Sequence, residues 1–348
     1  MGAIILAVLA LAGAVAPVDA APRLVIIQGL GGDESFAALF KSWGTTLVKT
    51  VLAQGVAADA ITYLAPTPLE LPAGVTTPGA PRRAVVRDAL LGLARASAPD
   101  AALVVVLIGH GTARGEGGQG ALFNVPGPDI SAADFNRWLE PWGDRPLAVV
   151  NTTSASGPFI SSLSGPERVV ITATASAAER YFAEFGGAFT QAVDPASGAD
   201  GDKNGRVSLL EAFEFARHQV QSQAEAERRL LTEHALLDDD GDGEGSAEPS
   251  MSDGDGALAA AFYLTPPPPP AFAAADADAD LIARRQALLD RIDALRRERP
   301  NLDPQDYRGQ LETLLVELAL VSRQLAAGDG ENSDADRTAP APEEDAAP

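Results

Sequence analysis

From Arg23 onward, short apolar runs alternate with stretches of helical spacing. Leu24-Val-Ile-Ile27, a run near Ile61, Leu103-Val-Val-Val-Leu-Ile108, Leu147-Ala-Val-Val150 and Arg168-Val-Val-Ile-Thr172 are nearly continuous in apolar residues, the pattern of strands buried on both faces. Between them, helical periodicity marks segments from about Glu34 to Gln54, from Arg82 to Arg95, and from Ser131, a capping residue, to about Leu139. The alternation predicts the α/β class, with a mostly parallel sheet covered by helices on both faces. Leu258-Ala-Ala-Ala-Phe-Tyr-Leu264 is expected to return as a final edge strand, so the main domain is placed at residues 22–265.

Beyond it the pattern changes. Pro266 to Pro270 must be extended, and residues 266–279 read as a stiff linker. Leu281, Leu288, Ile292 and Leu295, then Leu311, Leu314, Leu318, Val321 and Leu325, recur at steps of three, four and seven, the stripes of a coiled coil. Asn301-Leu-Asp-Pro304 interrupts them with a turn and a new helix start, so residues 280–327 are expected to form an antiparallel helical hairpin. Its stripes either bury each other or offer a face for a partner helix or for self-association, in which case the hairpin is an assembly module. Residues 328–348 are acidic, contain proline and lack large apolar groups, and are expected to be disordered.

The N-terminus opens with an apolar run from Met1 to Val15, followed by Val18-Asp-Ala20-Ala21. This predicts a signal peptide over residues 1–20 and export to the periplasm or the extracellular space, although no Lys or Arg precedes the run. No other stretch approaches the roughly 20 apolar residues needed to cross a bilayer. The 348 residues, 46% of them hydrophobic, suffice for one substantial core. A net charge of -22 argues against nucleic acid or anionic lipid as partner. The chain has no cysteine, which excludes cysteine catalysis, disulfides and thiolate metal sites.

Two of the buried strands end in residues able to do chemistry, at the sheet edge where open α/β folds place ligands. One runs into Gly109-His110-Gly111; 44 residues after His110, the other has run into Asn151-Thr-Thr-Ser154-Ala-Ser156-Gly157. Order and spacing resemble the caspase and legumain group of peptidases, in which one strand ends in His-Gly and a later one in Glu-Ala-Cys-x-Ser-Gly. The resemblance covers roughly residues 22–195. Ser156 and Gly157 keep the family's Ser-Gly, Thr152 and Thr153 replace Glu-Ala, and Ser154 stands at the cysteine position. Gly-His-Gly, Asn-Thr-Thr-Ser-Ala-Ser-Gly and Thr-Glu-His-Ala together are similar to a bacterial secreted subgroup. The resemblance implies a caspase-like three-layer αβα sandwich, with an oxyanion hole formed by the Gly111 and Ser154 N–H groups. It also implies that Glu179, after the next strand, lies in the specificity pocket, where it would favour a basic or amide side chain. A solvated glutamate at a helix start is the bland alternative.

A hydroxyl in place of a thiol needs a well-oriented base, and the family's His-Cys pair has no obligatory third acid to orient one. The expectation is therefore a catalytically impaired peptidase-fold protein that binds peptide or protein partners. The alternative is an active hydrolase with His110 as base and Ser154 as nucleophile. Gly29, Gly31 and Gly32 do not complete a dinucleotide fingerprint, because Glu34 takes the last glycine's place.

Asp200-Gly-Asp202-Lys-Asn204-Gly205-Arg206-Val207-Ser208-Leu-Leu-Glu211 satisfies a twelve-residue EF-hand loop. Oxygen ligands come from Asp200, Asp202, Asn204, the Arg206 carbonyl, Ser208 and Glu211, so calcium is the expected ion. Asp238-Asp-Asp240-Gly-Asp242-Gly243 repeats the first half of such a loop, but Pro249 stands at the closing position, leaving a weaker calcium site, a set of ligands shared with the first site, or a flexible acidic loop. His218 and His234 lie near these segments without zinc-ligand spacing.

Overall fold

In the computed structural model the described residues are 22–114, 120–202, 204–250, 254–267, 302–335 and, between them, 281, 284, 285, 287–289, 291, 292, 294–296 and 299. The expected signal peptide, residues 268–279 of the linker and residues 336–348 of the tail lie outside them.

The described strands are β1 (Arg23–Gln28), β2 (Ile61–Leu64), β3 (Leu103–Ile108), β4 (Gly111–Arg114), β5 (Gly120–Phe123), β6 (Ile130–Ser131), β7 (Leu147–Asn151), β8 (Arg168–Thr172) and β9 (Leu236–Asp238). The helices are α1 (Glu34–Ala53), α2 (Arg83–Ala96), α3 (Ala132–Leu139), α4 (Phe159–Leu163), α5 (Phe185–Ala192), α6 (Leu209–Ala226), α7 (Ala257–Ala260) and α8 (Pro304–Ala335). Six strands make the central sheet in the order β2-β1-β3-β7-β8-β9, and only β9 runs antiparallel to its neighbour.

The period of two along each strand divides the core into two layers. Leu24, Ile26, Val104, Val106, Ala148 and Val150 face one side, where Phe40 and Val48 of α1, Phe189 of α5 and Phe213 of α6 pack on them. Val25, Ile27, Val105, Leu107 and Val149 face the other, under Leu90 of α2, Phe135 of α3 and Phe159 of α4. The result is a three-layer α/β/α sandwich. Strands β4, β5 and β6 form a separate antiparallel sheet beside β3, and Phe123 and Ile130 carry it onto the second layer.

Ser131 caps α3 as expected: its hydroxyl accepts the Asp134 N–H while Asp134 accepts the Ser131 N–H, a reciprocal capping box. The segment Leu258–Leu264 departs from expectation. It forms the short helix α7 and then a single bridge from Tyr263 to Ser208, not an edge strand; the edge is β9. The reason is local, because the Asp239 carboxylate accepts the Gly256 and Ala259 N–H groups at 2.7 Å each and nucleates a helical turn.

At the C-terminus, Leu288, Ile292 and Leu295 pack against Tyr307, Leu314, Leu318 and Val321 of α8, so the two stripes bury each other. Asp303 opens α8 by accepting the Gln305 N–H. This helix continues through Ala335, into the segment expected to be disordered. Leu315, Val316 and Leu320 stay exposed on α8. Among the described residues no helix is long and apolar enough to cross a membrane.

Candidate functional site

His110 and Ser154 do meet at the C-terminal ends of adjacent strands, because β3 and β7 pair in register from Leu103 with Leu147 to Leu107 with Asn151. The loop after β7 is braced throughout. The Thr152 hydroxyl donates to Leu107 O at 2.8 Å, Thr153 donates its N–H and hydroxyl to Asn151 Oδ1, and the Ser156 and Gly157 N–H groups donate to Thr174 Oγ1. Ala155 has a φ of 53°, a left-handed conformation that non-glycine residues seldom adopt and that persists where surroundings enforce it. Gly111 is required by proximity: a Cβ there would stand 2.1 Å from Ser154 O.

The chemistry these residues make is backbone bonding. Ser154 is 3% exposed; its hydroxyl donates to Gly111 O at 3.1 Å and receives the Gly111 N–H at 3.3 Å. That N–H, expected to serve an oxyanion, is thus turned on the Ser154 hydroxyl. The imidazole of His110 hydrogen-bonds Gly31 O through Nε2 at 3.1 Å; a carbonyl only accepts, so Nε2 carries the hydrogen. Its ring meets Phe36 and Phe40 edge-on, with centroids 4.9 and 5.0 Å away, and Phe182 stands behind. Burial pushes its pKa below the ordinary histidine value, against smaller opposing effects from the Gly31 carbonyl and the Asp33 charge. Among the described residues no hydrogen bond joins His110 to Ser154.

Glu179 is engaged by its own chain. Its carboxylate accepts the Ala175 N–H at 3.1 Å and the His234 N–H at 2.9 Å, and pairs with His234 Nδ1 at 2.9 Å. Its carbonyl accepts the Ala155 N–H at 2.8 Å, locking the Ser154 loop from behind. Thr-Glu-His-Ala acquires a structural meaning here, since Glu233 accepts the Glu184 and Phe185 N–H groups at the start of α5 while His234 holds Glu179. Burial raises the Glu233 pKa to about 7. A carboxylate that caps a helix in space from a distant segment leaves no local sequence signal, and Glu233 was not among the expected site residues.

The first acidic loop brings three of its expected ligands together. Oxygens of Asp200, Asp202 and Glu211 lie within 4.8 Å of one another. Asp200 accepts the Asn204 and Gly205 N–H groups, Asn204 Oδ1 accepts the Arg206 N–H, and Glu211 accepts from Gly201, Asp202 and Ser208. Ser208 and Glu211 form the capping box of α6. Burial raises the pKa of Asp200 and of Glu211, and the Asp202 charge adds to both. An all-oxygen set of converging, partly desolvated carboxylates suits a hard cation. Outside the loop, Tyr263 receives a hydrogen bond from Asn204 Nδ2 at 3.1 Å and lies 3.7 Å beneath the Arg206 guanidinium.

The second loop closes differently. Asp238 and Asp240 converge with Asp255, not Asp242, to within 4.8 Å. Asp242 is exposed and its carboxylate accepts the Glu244 N–H. Asp255 is buried, accepts the Asp239 N–H at 2.8 Å, and has its pKa raised to about 6, first by burial and then by the charges of Asp240, Asp239 and Asp238. The absent closing glutamate is replaced by a residue beyond Pro249, flagged in sequence only by the Asp-Gly-Asp-Gly run that contains it.

No family model and no curated protein matches the chain. Among solved structures it is similar to a Geobacter sulfurreducens protein at 11% identity and a TM-score of 0.36, over 57% of this chain and 89% of that one. It is also similar to Raptor of Chaetomium thermophilum at 11% identity and a TM-score of 0.34, over 61% of this chain and 19% of that one. Scores this low assign neither family nor activity.

Proposed function

We propose that this chain is an exported, calcium-stabilised protein of the caspase/legumain-like type whose His110–Ser154 site is catalytically silent and which acts by binding peptide or protein segments. The observation that carries the reading is the saturation of Ser154. Its hydroxyl gives and receives hydrogen bonds with Gly111, while His110 spends its Nε2–H on Gly31. A general base must reach the proton it removes, at about 2.6–3.2 Å. Here the Ser154 hydroxyl points its proton at the Gly111 carbonyl, and the base is elsewhere.

Recognition is supported by the aromatic wall beside the strand ends. Phe36, Phe182 and the half-buried His110 are flanked in sequence by Leu30, 40% exposed, and Tyr181, 74% exposed. Calcium is supported by the all-oxygen loop from Asp200 to Glu211, and export by the apolar N-terminal run. The test is labelling of the purified protein, with calcium present, by a fluorophosphonate probe beside Ser154→Ala and His110→Ala. The expected outcome is no labelling; strong labelling lost in both variants would reinstate an active Ser-His hydrolase.

A further inference from the structure

Helix α8 carries two apolar seams. One holds Leu314, Leu318 and Val321 and is buried in the hairpin's own cluster. The other is made of Leu315, Val316, Ala319 and Leu320, all exposed, the three large ones at 41%, 55% and 57%. With about 3.6 residues per turn the two seams lie roughly 150° apart around the axis. Single apolar residues on a surface need no explanation, but four on adjoining turns of one helix face form a patch.

Charges bound this patch in a telling order. Glu312 lies one turn before it and Arg323 one turn after it, both exposed. Glu312, Val316, Ala319 and Arg323 follow one another at steps of four, three and four, the spacing of a helix-to-helix seam, with Leu315 and Leu320 bordering it. Reversed end to end, the pattern is its own complement. A twofold axis across the helix between Glu317 and Leu318 brings Val316 level with Ala319 of a second copy, Leu315 level with Leu320, and Glu312 level with Arg323 at both ends. Parallel pairing would set Glu312 against Glu312 and Arg323 against Arg323. An isologous contact requires such self-complementarity, which a face made for a different protein does not.

We propose that the exposed side of α8 is a homodimer interface, in which two copies pair their α8 helices antiparallel about this patch. One pair of helices in contact over these turns buries less than the ~1,200 Å² at which stable interfaces begin, so the dimer is reversible. The net charge of -22 opposes association at long range; salt at about 0.15 M screens it beyond about 8 Å, whereas Glu312 and Arg323 act in contact.

The test is sedimentation equilibrium of the full chain at about 0.15 M salt, from micromolar to hundreds of micromolar concentration. The parent is expected to pass from monomer to dimer and Leu320→Glu to remain monomeric. Glu312→Arg and Arg323→Glu each turn both attractive pairs repulsive and should weaken the dimer roughly tenfold. The double variant Glu312→Arg/Arg323→Glu should recover the parent's affinity. An equimolar mixture of the two single variants should also dimerise, because each copy then supplies the charge the other lacks, and this also shows that both variants fold. A parent that stays monomeric throughout overturns the proposal and leaves the face to another partner. A dimer indifferent to Leu320→Glu and to the charge reversals overturns it too, by placing the contact elsewhere on the chain.

Discussion

The two acidic loops use the same chemistry and are assembled in opposite ways. The first takes Asp200, Asp202 and Glu211 from one continuous twelve-residue segment, and its last ligand also starts a helix of 18 residues. The second takes Asp238 from the end of a strand, Asp240 from the turn after it, and Asp255 from just before the four-residue helix α7. A loop written into contiguous sequence would need only its own turn and the start of α6 to be formed before it could hold an ion. The second has no site until β9 and α7 are in place, so ion binding there reports, and rewards, completed tertiary structure.

The sharpest way to test this contrast is to remove the closing residue of the first loop. Calcium at about a hundredfold above its dissociation constant adds roughly 2.7 kcal/mol to a single-site fold, or about 5–10 °C in melting temperature for a domain of this size. Glu211→Ala should abolish most of that gain in calorimetric melts with calcium and with chelator, and should also lower the chelated protein's stability by about 1 kcal/mol through the lost α6 capping box. An undiminished calcium effect would mean the first loop is only a turn.

The second loop should reveal itself through pH. Asp255, near 6, and Glu233, near 7, both have folded pKa values above their ordinary ones. Protonation therefore favours the folded state: the stabilisation is complete below about pH 4 and is lost as pH rises through 6 and then 7. Asp255 faces Asp238, Asp239 and Asp240, so calcium should cancel its part of the fall. Glu233 faces Glu184 and Arg229, and its part should persist with calcium present. Denaturant midpoints of the parent and Asp255→Asn across pH 4–8, with and without calcium, separate the two contributions. A fall of equal size in both ion conditions would remove Asp255 from the site. The smallest expected effect is that of Asp242→Asn, within about 0.5 kcal/mol and insensitive to calcium; if it matches Asp255→Asn, the second loop is contiguous after all.

What could be read from sequence follows the same division. β3, β8 and the cap at Ser131 were legible because each is specified by its own neighbours. The first loop was legible for that reason too. Asp255, Glu233 and the pairing of Glu179 with His234 were not, since each is a contact between segments whose spacing carries no pattern. Leu258–Leu264 shows the remaining failure. A short apolar run fits strand or helix alike, and the choice was made by Asp239, a residue outside it. The meeting of His110 and Ser154 was foreseeable from two strand ends, but the fate of the Ser154 hydroxyl depended on Gly111, whose missing Cβ lets the two backbones touch.

Asp238 is also the last residue of β9, where it pairs with Val170, and among the described residues β9 is the strand covering the outer edge of β8. Three residues of antiparallel pairing thus shield the row of main-chain groups from Val170 to Thr172. An uncovered edge of apolar β-branched residues is a template for another chain. Loss of β9 from this position would leave the β8 edge from Val170 to Thr172 open to pairing with another chain.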